Sequence, residues 1–140
     1  MKNKSLVDDY LFRAKNRLEA VELLYQRKSW ADVVRESQEV VELTLKALLK
    51  HCNIEIPRLH DVSDILKDNI QLLPPSLQKH VEAFSEISRD MRRDRELSFY
   101  GSEDLTPSEF YKESDAKKAK ENTTWLVKTI LIALSPIQKS

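Results

Sequence analysis

The chain has 140 residues, and its 23 Lys and Arg balance 23 Asp and Glu, which removes the blanket basic field of a non-specific nucleic-acid binder. One cysteine and one glycine, Cys52 and Gly101, exclude a disulfide scaffold, a cysteine-built zinc site, Gly-rich phosphate loops and dinucleotide folds, and disfavour an all-β fold with many tight turns. With 41% hydrophobic and 33% charged residues, no apolar run reaches the ~20 residues of a membrane helix and no secretory signal is visible, so one cytoplasmic domain over residues 1–140 is expected.

The spacing predicts a first helix from about Ser5, as its cap, to Arg27. Val7, Leu11, Ala14, Leu18, Val21 and Tyr25 recur at steps of three and four and form its inner stripe. Phe12 and Leu23 lie eleven apart on a different face, which needs a second partner. Ser29 then caps a helix from Trp30 to Cys52. Its stripe is Trp30, Val34, Ser37, Val41, Leu45, Leu48 and Cys52. Val33, Val40 and Leu49 widen that stripe into the pattern of a central bundle helix, with Glu39, Lys46 and Lys50 facing out. After the break at Asn53–Arg58, Asp61 caps a short helix to about Ile70. Pro74, Pro75 and Ser76 open a helix to Phe99 with the stripe Leu77, Val81, Phe84, Ile87 and Met91. Gly101 sits where a left-handed C-cap belongs. Thr106, Pro107, Ser108 and Glu109 read as the cap of a final helix ending near Leu134. Its inner face is Ala119, Thr123, Leu126, Ile130 and Ala133, while Trp125 and Ile132 point the other way. No period-two strand pattern occurs. The expected fold is all-α, an up-and-down bundle of four to five helices.

The chemistry-bearing residues gather late in the chain. Arg89, Arg92, Arg93 and Arg95 fall within seven positions, with Asp90 and Asp94 between them. On a helix of ~100° per residue, Arg95 falls about 20° from Phe84, Arg92 about 80° away, and Arg93 on the opposite side. An arginine on an apolar stripe is either ion-paired or faces a cleft, because an unpaired buried charge costs several kcal/mol. Both readings of Arg95 stay open, and a cleft arginine suits phosphate through its planar fork. Tyr100 is an aromatic plug at the helix end or a stacking contact beside the arginines. His60 caps a turn or meets the arginine cluster across a cleft. His51, His60 and His80 form no metal set, and no cofactor motif is present.

The blocks Ser37-Gln38-Glu39-Val40-Val41-Glu42-Leu43-Thr44-Leu45-Lys46-Ala47-Leu48-Leu49, Pro57-Arg58-Leu59-His60-Asp61-Val62 and Arg92-Arg93-Asp94-Arg95-Glu96-Leu97-Ser98-Phe99-Tyr100-Gly101 come in an order that resembles the HEPN domains, the "higher eukaryotes and prokaryotes nucleotide-binding" helical bundles. The likeness spans roughly Leu6 to Leu134. It implies a dimerising bundle associated with nucleotides or RNA, and some relatives pair with a small nucleotidyltransferase in toxin–antitoxin-like systems. By matching positions, Glu42 and Lys46 correspond to the helix-two signature, His60 to the loop histidine, and Arg95 and Tyr100 to the late Arg–Tyr block.

Ribonuclease members carry an arginine followed after four to six residues by a histidine. No histidine stands in those windows after Arg89, Arg92, Arg93 or Arg95, so the usual acid–base partner for RNA cleavage is missing. The expected function is therefore a homodimeric nucleotide- or RNA-binding module without nuclease activity. Arg95, Tyr100, Arg92 and His60 face its ligand, and Phe12, Leu23, Trp125 and Ile132 form the dimer interface. Two alternatives stand beside it: an interaction partner of a nucleotidyltransferase, and a ribonuclease with an atypical site.

Overall fold

The structure is a computed structural model. It describes residues 2–56, 61–100 and 110–135, with side chains for 4–56, 61–92 and 110–135. In chain order the helices are α1 (Lys2–Gln26), α2 (Trp30–His51), α3 (Val62–Asp68), a 3-10 turn (Ile70–Leu72), α4 (Pro75–Gln78), α5 (Val81–Tyr100) and α6 (Glu113–Leu134). No strand occurs among the described residues, and none of their helices is long and apolar enough to cross a membrane. The all-α bundle expected from periodicity is the observed fold.

α2 is the axis of the bundle. Thirteen of its 22 residues are buried, more than one amphipathic face can supply. Val34, Val41, Leu45, Leu48 and Leu49 pack toward α3, α5 and α6, joining Leu66, Phe84, Leu126 and Ile130, with Leu77 of α4 in the same cluster. Val33, Val40 and Leu43 pack on the other side, with Ala14 and Val21 of α1 and Val127 of α6. The expected outward face is therefore only partly outward: Glu39, Lys46 and Lys50 are all half-buried.

Both ends of the α1–α2 hairpin close without glycine. After α1, Lys28 adopts φ 62°. Its N–H donates to the Tyr25 carbonyl at 3.0 Å, and the Ser29 N–H donates to the Leu24 carbonyl at 3.0 Å. After α2, Asn53 adopts φ 59°. Its N–H donates to the Lys50 carbonyl at 3.0 Å, and the Ile54 N–H to the Leu49 carbonyl at 2.9 Å. Each is a Schellman closure whose left-handed position glycine usually fills. Asparagine tolerates that conformation, whereas lysine costs roughly 1–2 kcal/mol there. Buried Ile54 supplies the apolar contact that accompanies such a closure.

Three expected boundaries shift. Ser5 does not cap α1; it lies exposed inside a helix already under way at Lys2, since no breaker precedes it. Ser29 stands at the N-cap of α2, but its hydroxyl donates to Asp32 Oδ2 at 2.6 Å instead of accepting from a backbone N–H. The helix expected from Pro74 to Phe99 is interrupted at Lys79–His80. There the His80 ring meets Trp125 edge-on, 5.3 Å between centroids, and lies 5.9 Å from Phe84. The apolar stripe runs through the break, with Leu77, Val81, Phe84, Ile87 and Met91 all buried, so periodicity could not reveal it. The cap expected at Thr106–Glu109 and the Gly101 position lie outside the described residues. The described start of α6 carries half of a capping box: the Lys112 N–H donates to Asp115 Oδ2 at 2.9 Å. Of its expected inner face, Ala119, Thr123, Leu126 and Ile130 are buried and Ala133 is half-buried.

Candidate functional site

Four charged side chains from three elements converge where α2, the start of α3 and α5 meet. Glu42 and Lys46 stand one turn apart on α2, with Lys46 Nζ 3.6 Å from Glu42 Oε2. Arg92 reaches across from α5. Its Nη2 lies 3.4 Å from Glu42 Oε1, and its Nη1 lies 2.6 Å from Asp61 Oδ2. Asp61 is also the N-cap of α3, as expected: Oδ1 accepts from the Ser63 backbone N–H at 2.9 Å and the Ser63 hydroxyl at 2.8 Å. One carboxylate thus ends a helix with one oxygen and fixes an arginine with the other.

Burial alone pushes the Asp61 carboxyl up. The two hydrogen bonds from Ser63 and the charge and hydrogen bond of Arg92 outweigh it and hold the group below the ordinary aspartate value. A lowered folded-state pKa contributes stability above the unfolded value, and that stability disappears as pH falls through the folded value. Asparagine keeps the cap but loses the charge. Asp61→Asn should therefore destabilise the protein by about 1 kcal/mol near neutral pH, reduced by the partial exposure of Arg92. Urea melts of both proteins should converge once the pH falls below the ordinary aspartate range; a gap that stays constant at low pH would contradict this.

The cluster is formally neutral, two cations against two carboxylates, so it offers directed donors and no strong field. Arg92 is 39% exposed and uses two of its five N–H donors on Asp61 and Glu42. Lys46 adds a half-exposed ammonium. What remains is a pre-oriented guanidinium edge beside a lysine, the donor pattern that suits a phosphate or carboxylate oxygen.

Among the residues singled out from the sequence, Glu42, Lys46 and Arg92 are brought together. The Arg92 edge is held by its own chain's carboxylates, which its position near the apolar stripe did not disclose. The Arg95 and Tyr100 side chains lie outside the described residues, although their backbone belongs to α5; His60 lies outside them entirely. Arg89 is exposed. Phe12, Leu23 and Ile132 are exposed on α1 and α6, but Trp125, 39% exposed, rests on His80 and Phe84 at 5.3 and 5.4 Å. Sequence reasoning took Asp61 only as a cap. Its pairing with Arg92, 31 positions away, leaves no local spacing signal.

A family model for the HEPN domain matches residues 7–132, most of the chain. The chain belongs to the HEPN family. Neither the curated proteins nor the solved structures searched contain a match to it. Within this HEPN domain, the cluster joins the helix-two residues Glu42 and Lys46 to the arginine-rich end of α5.

Proposed function

We propose that this HEPN domain binds a nucleotide or RNA phosphate at the Glu42–Lys46–Asp61–Arg92 cluster, with Arg95, Tyr100 and His60 on the same ligand-facing end. The observation that carries the reading is the half-exposed Arg92, fixed on one side by two carboxylates, with no further ion-pair partner among the described residues and with Lys46 on the same carboxylate, Glu42. Fixing a flexible cation in advance reduces the entropy lost on binding. Fluorescence titration of purified protein with nucleotides and short RNAs, with and without Arg92→Ala, tests it.

The same reading holds that the protein does not cleave RNA, because no histidine stands four to six residues after any clustered arginine. Incubation with labelled RNA should leave the substrate intact over hours. Robust cleavage abolished by Arg95→Ala would reverse this and favour an atypical ribonuclease. Pairing with a small nucleotidyltransferase is compatible with binding and would be read from co-purification of the two.

The proposal includes a homodimer. Phe12, 64% exposed, and Leu23 share one face of α1, and Ile132 lies outward on α6. Large apolar groups aligned this way mark a contact surface. Trp125 contributes less, since its own chain covers much of it. Analytical ultracentrifugation at tens of micromolar should show a dimer, with Phe12→Asp/Leu23→Asp monomeric; wild-type protein sedimenting only as a monomer would reject it.

A further inference from the structure

The seam between α1 and α6 carries a groove that the two core layers do not fill. At one end Lys120 Nζ meets Glu22 Oε2 at 3.0 Å and lies 4.4 Å from the centroid of the Tyr25 ring. Farther along, the Tyr25 hydroxyl lies 3.4 Å from Glu113 Oε2. Residue numbers fall on α1 as they rise on α6, so the helices run antiparallel. The groove has a volume of about 470 Å³, inside the ~300–1,000 Å³ range of small-molecule sites. Leu18, Val127 and Leu131 give it a mainly apolar lining.

Its charge is arranged at the mouth. Two helical turns from the Glu22–Lys120 pair, the antiparallel register brings Lys15 on α1 level with Lys128 on α6. Both line the groove, and neither has an ion-pair partner among the described residues. Glu22 and Lys120 neutralise each other. Glu19, the other carboxylate on the lining, offsets one of the two remaining lysines. The groove thus has a mainly apolar floor and one net positive charge on its lining, with Lys15 and Lys128 level on opposite walls.

We propose that this groove binds an amphiphilic monoanion, a medium-length alkyl chain lying on Leu18, Val127 and Leu131 with its carboxylate between Lys15 and Lys128. Burial of the chain supplies affinity in proportion to its apolar area, and the paired ammonium groups select an anionic head. None of Glu42, Lys46, Asp61 or Arg92 lines the groove, so this site is separate from the phosphate cluster; it adjoins the proposed dimer face, since Asn16 and Glu19 of its lining share the α1 stripe of Phe12 and Leu23.

The test uses dodecanoate below its micelle concentration, titrated into the full chain by calorimetry, with dodecanol as the uncharged control. Dodecanoate should bind saturably with one site per chain. Lys15→Gln/Lys128→Gln should weaken it by roughly tenfold or more, the loss of a charge-assisted contact, and leave dodecanol affinity unchanged. Leu131→Arg, which blocks the channel, should abolish binding of both. Absence of saturable binding, uptake of many molecules per chain, or equal dodecanoate affinity in the lysine double variant would overturn the proposal. So would a change in self-association of the double variant without a change in dodecanoate affinity, since the groove would then hold a second copy of the chain.

Discussion

Phe84→Ala is expected to lower the stability of the bundle by about 3–5 kcal/mol, the usual cost of emptying a large aromatic site in a packed core. Phe84 has no exposed surface and heads the largest fully buried side chains. It lies in the layer where α5 meets α2 and α6, with Leu45, Leu126 and Ile130. His80 and Trp125 also rest against its ring at 5.9 and 5.4 Å, so its removal takes away ring contacts at the α4–α5 break as well. A small domain is stable by only ~5–15 kcal/mol, so this one substitution removes a large share. Urea denaturation followed by tryptophan fluorescence should show the loss. Leu72→Ala, at a position 62% exposed, should stay within about 0.5 kcal/mol of wild type. Equal effects at the two positions would contradict the packing described here.

Arg92→Ala is expected to weaken nucleotide or RNA binding by about 1.5–3 kcal/mol, roughly 10- to 150-fold, the range for hydrogen bonds to a charged group. Its effect on folding should be smaller. Arg92 is half-exposed, so its ion pairs are screened by water; Asp61 keeps both bonds from Ser63, and Glu42 keeps Lys46. Affinity and stability should therefore separate in this variant. Arg89→Ala and Arg93→Ala should change affinity little: Arg89 is exposed and joins none of the cluster's ion pairs among the described residues, and by helical spacing the Arg93 position lies opposite the apolar stripe. Binding of a multiply charged RNA should also fall as salt rises. If all three variants lose affinity equally, the cluster is a diffuse charged surface and not a site.

Periodicity alone reached the helices because each buries a stripe at steps of three and four, and α2 betrayed its central place by carrying apolar residues around most of its girth. Where the pattern was silent, boundaries moved. The interruption at Lys79–His80 leaves the stripe intact, so nothing in the spacing marks it. The left-handed residues Lys28 and Asn53 close helices through backbone bonds, and without the glycine that usually marks such a closure the apolar spacing does not reveal them. Capping is likewise chosen between near-equal options: Ser29 gives its hydroxyl to Asp32, whereas Asp61 caps as its type suggests.

The candidate site was legible in part. Glu42 and Lys46 were marked only through the family resemblance, and Arg92 was placed at the flank of its stripe, where a long side chain can reach a neighbouring helix. The partner that fixes Arg92 was not legible. Asp61 comes from a separate element, and only the packing of α3 on α5 sets their distance. The groove between α1 and α6 escaped for the same reason: Lys15 and Lys128 are ordinary surface lysines until the antiparallel register sets them level.

The most direct measurement is a titration of isotope-labelled protein with a short single-stranded RNA, following the arginine side-chain Nε–H signals by NMR. The Arg92 signal should shift saturably. That of Arg17, bound to Glu36 at 2.6 Å at the α1–α2 contact, should not move. An Arg92 signal that stays fixed while RNA binds, or an RNA that does not bind at all, would contradict the assignment of this cluster as the phosphate site.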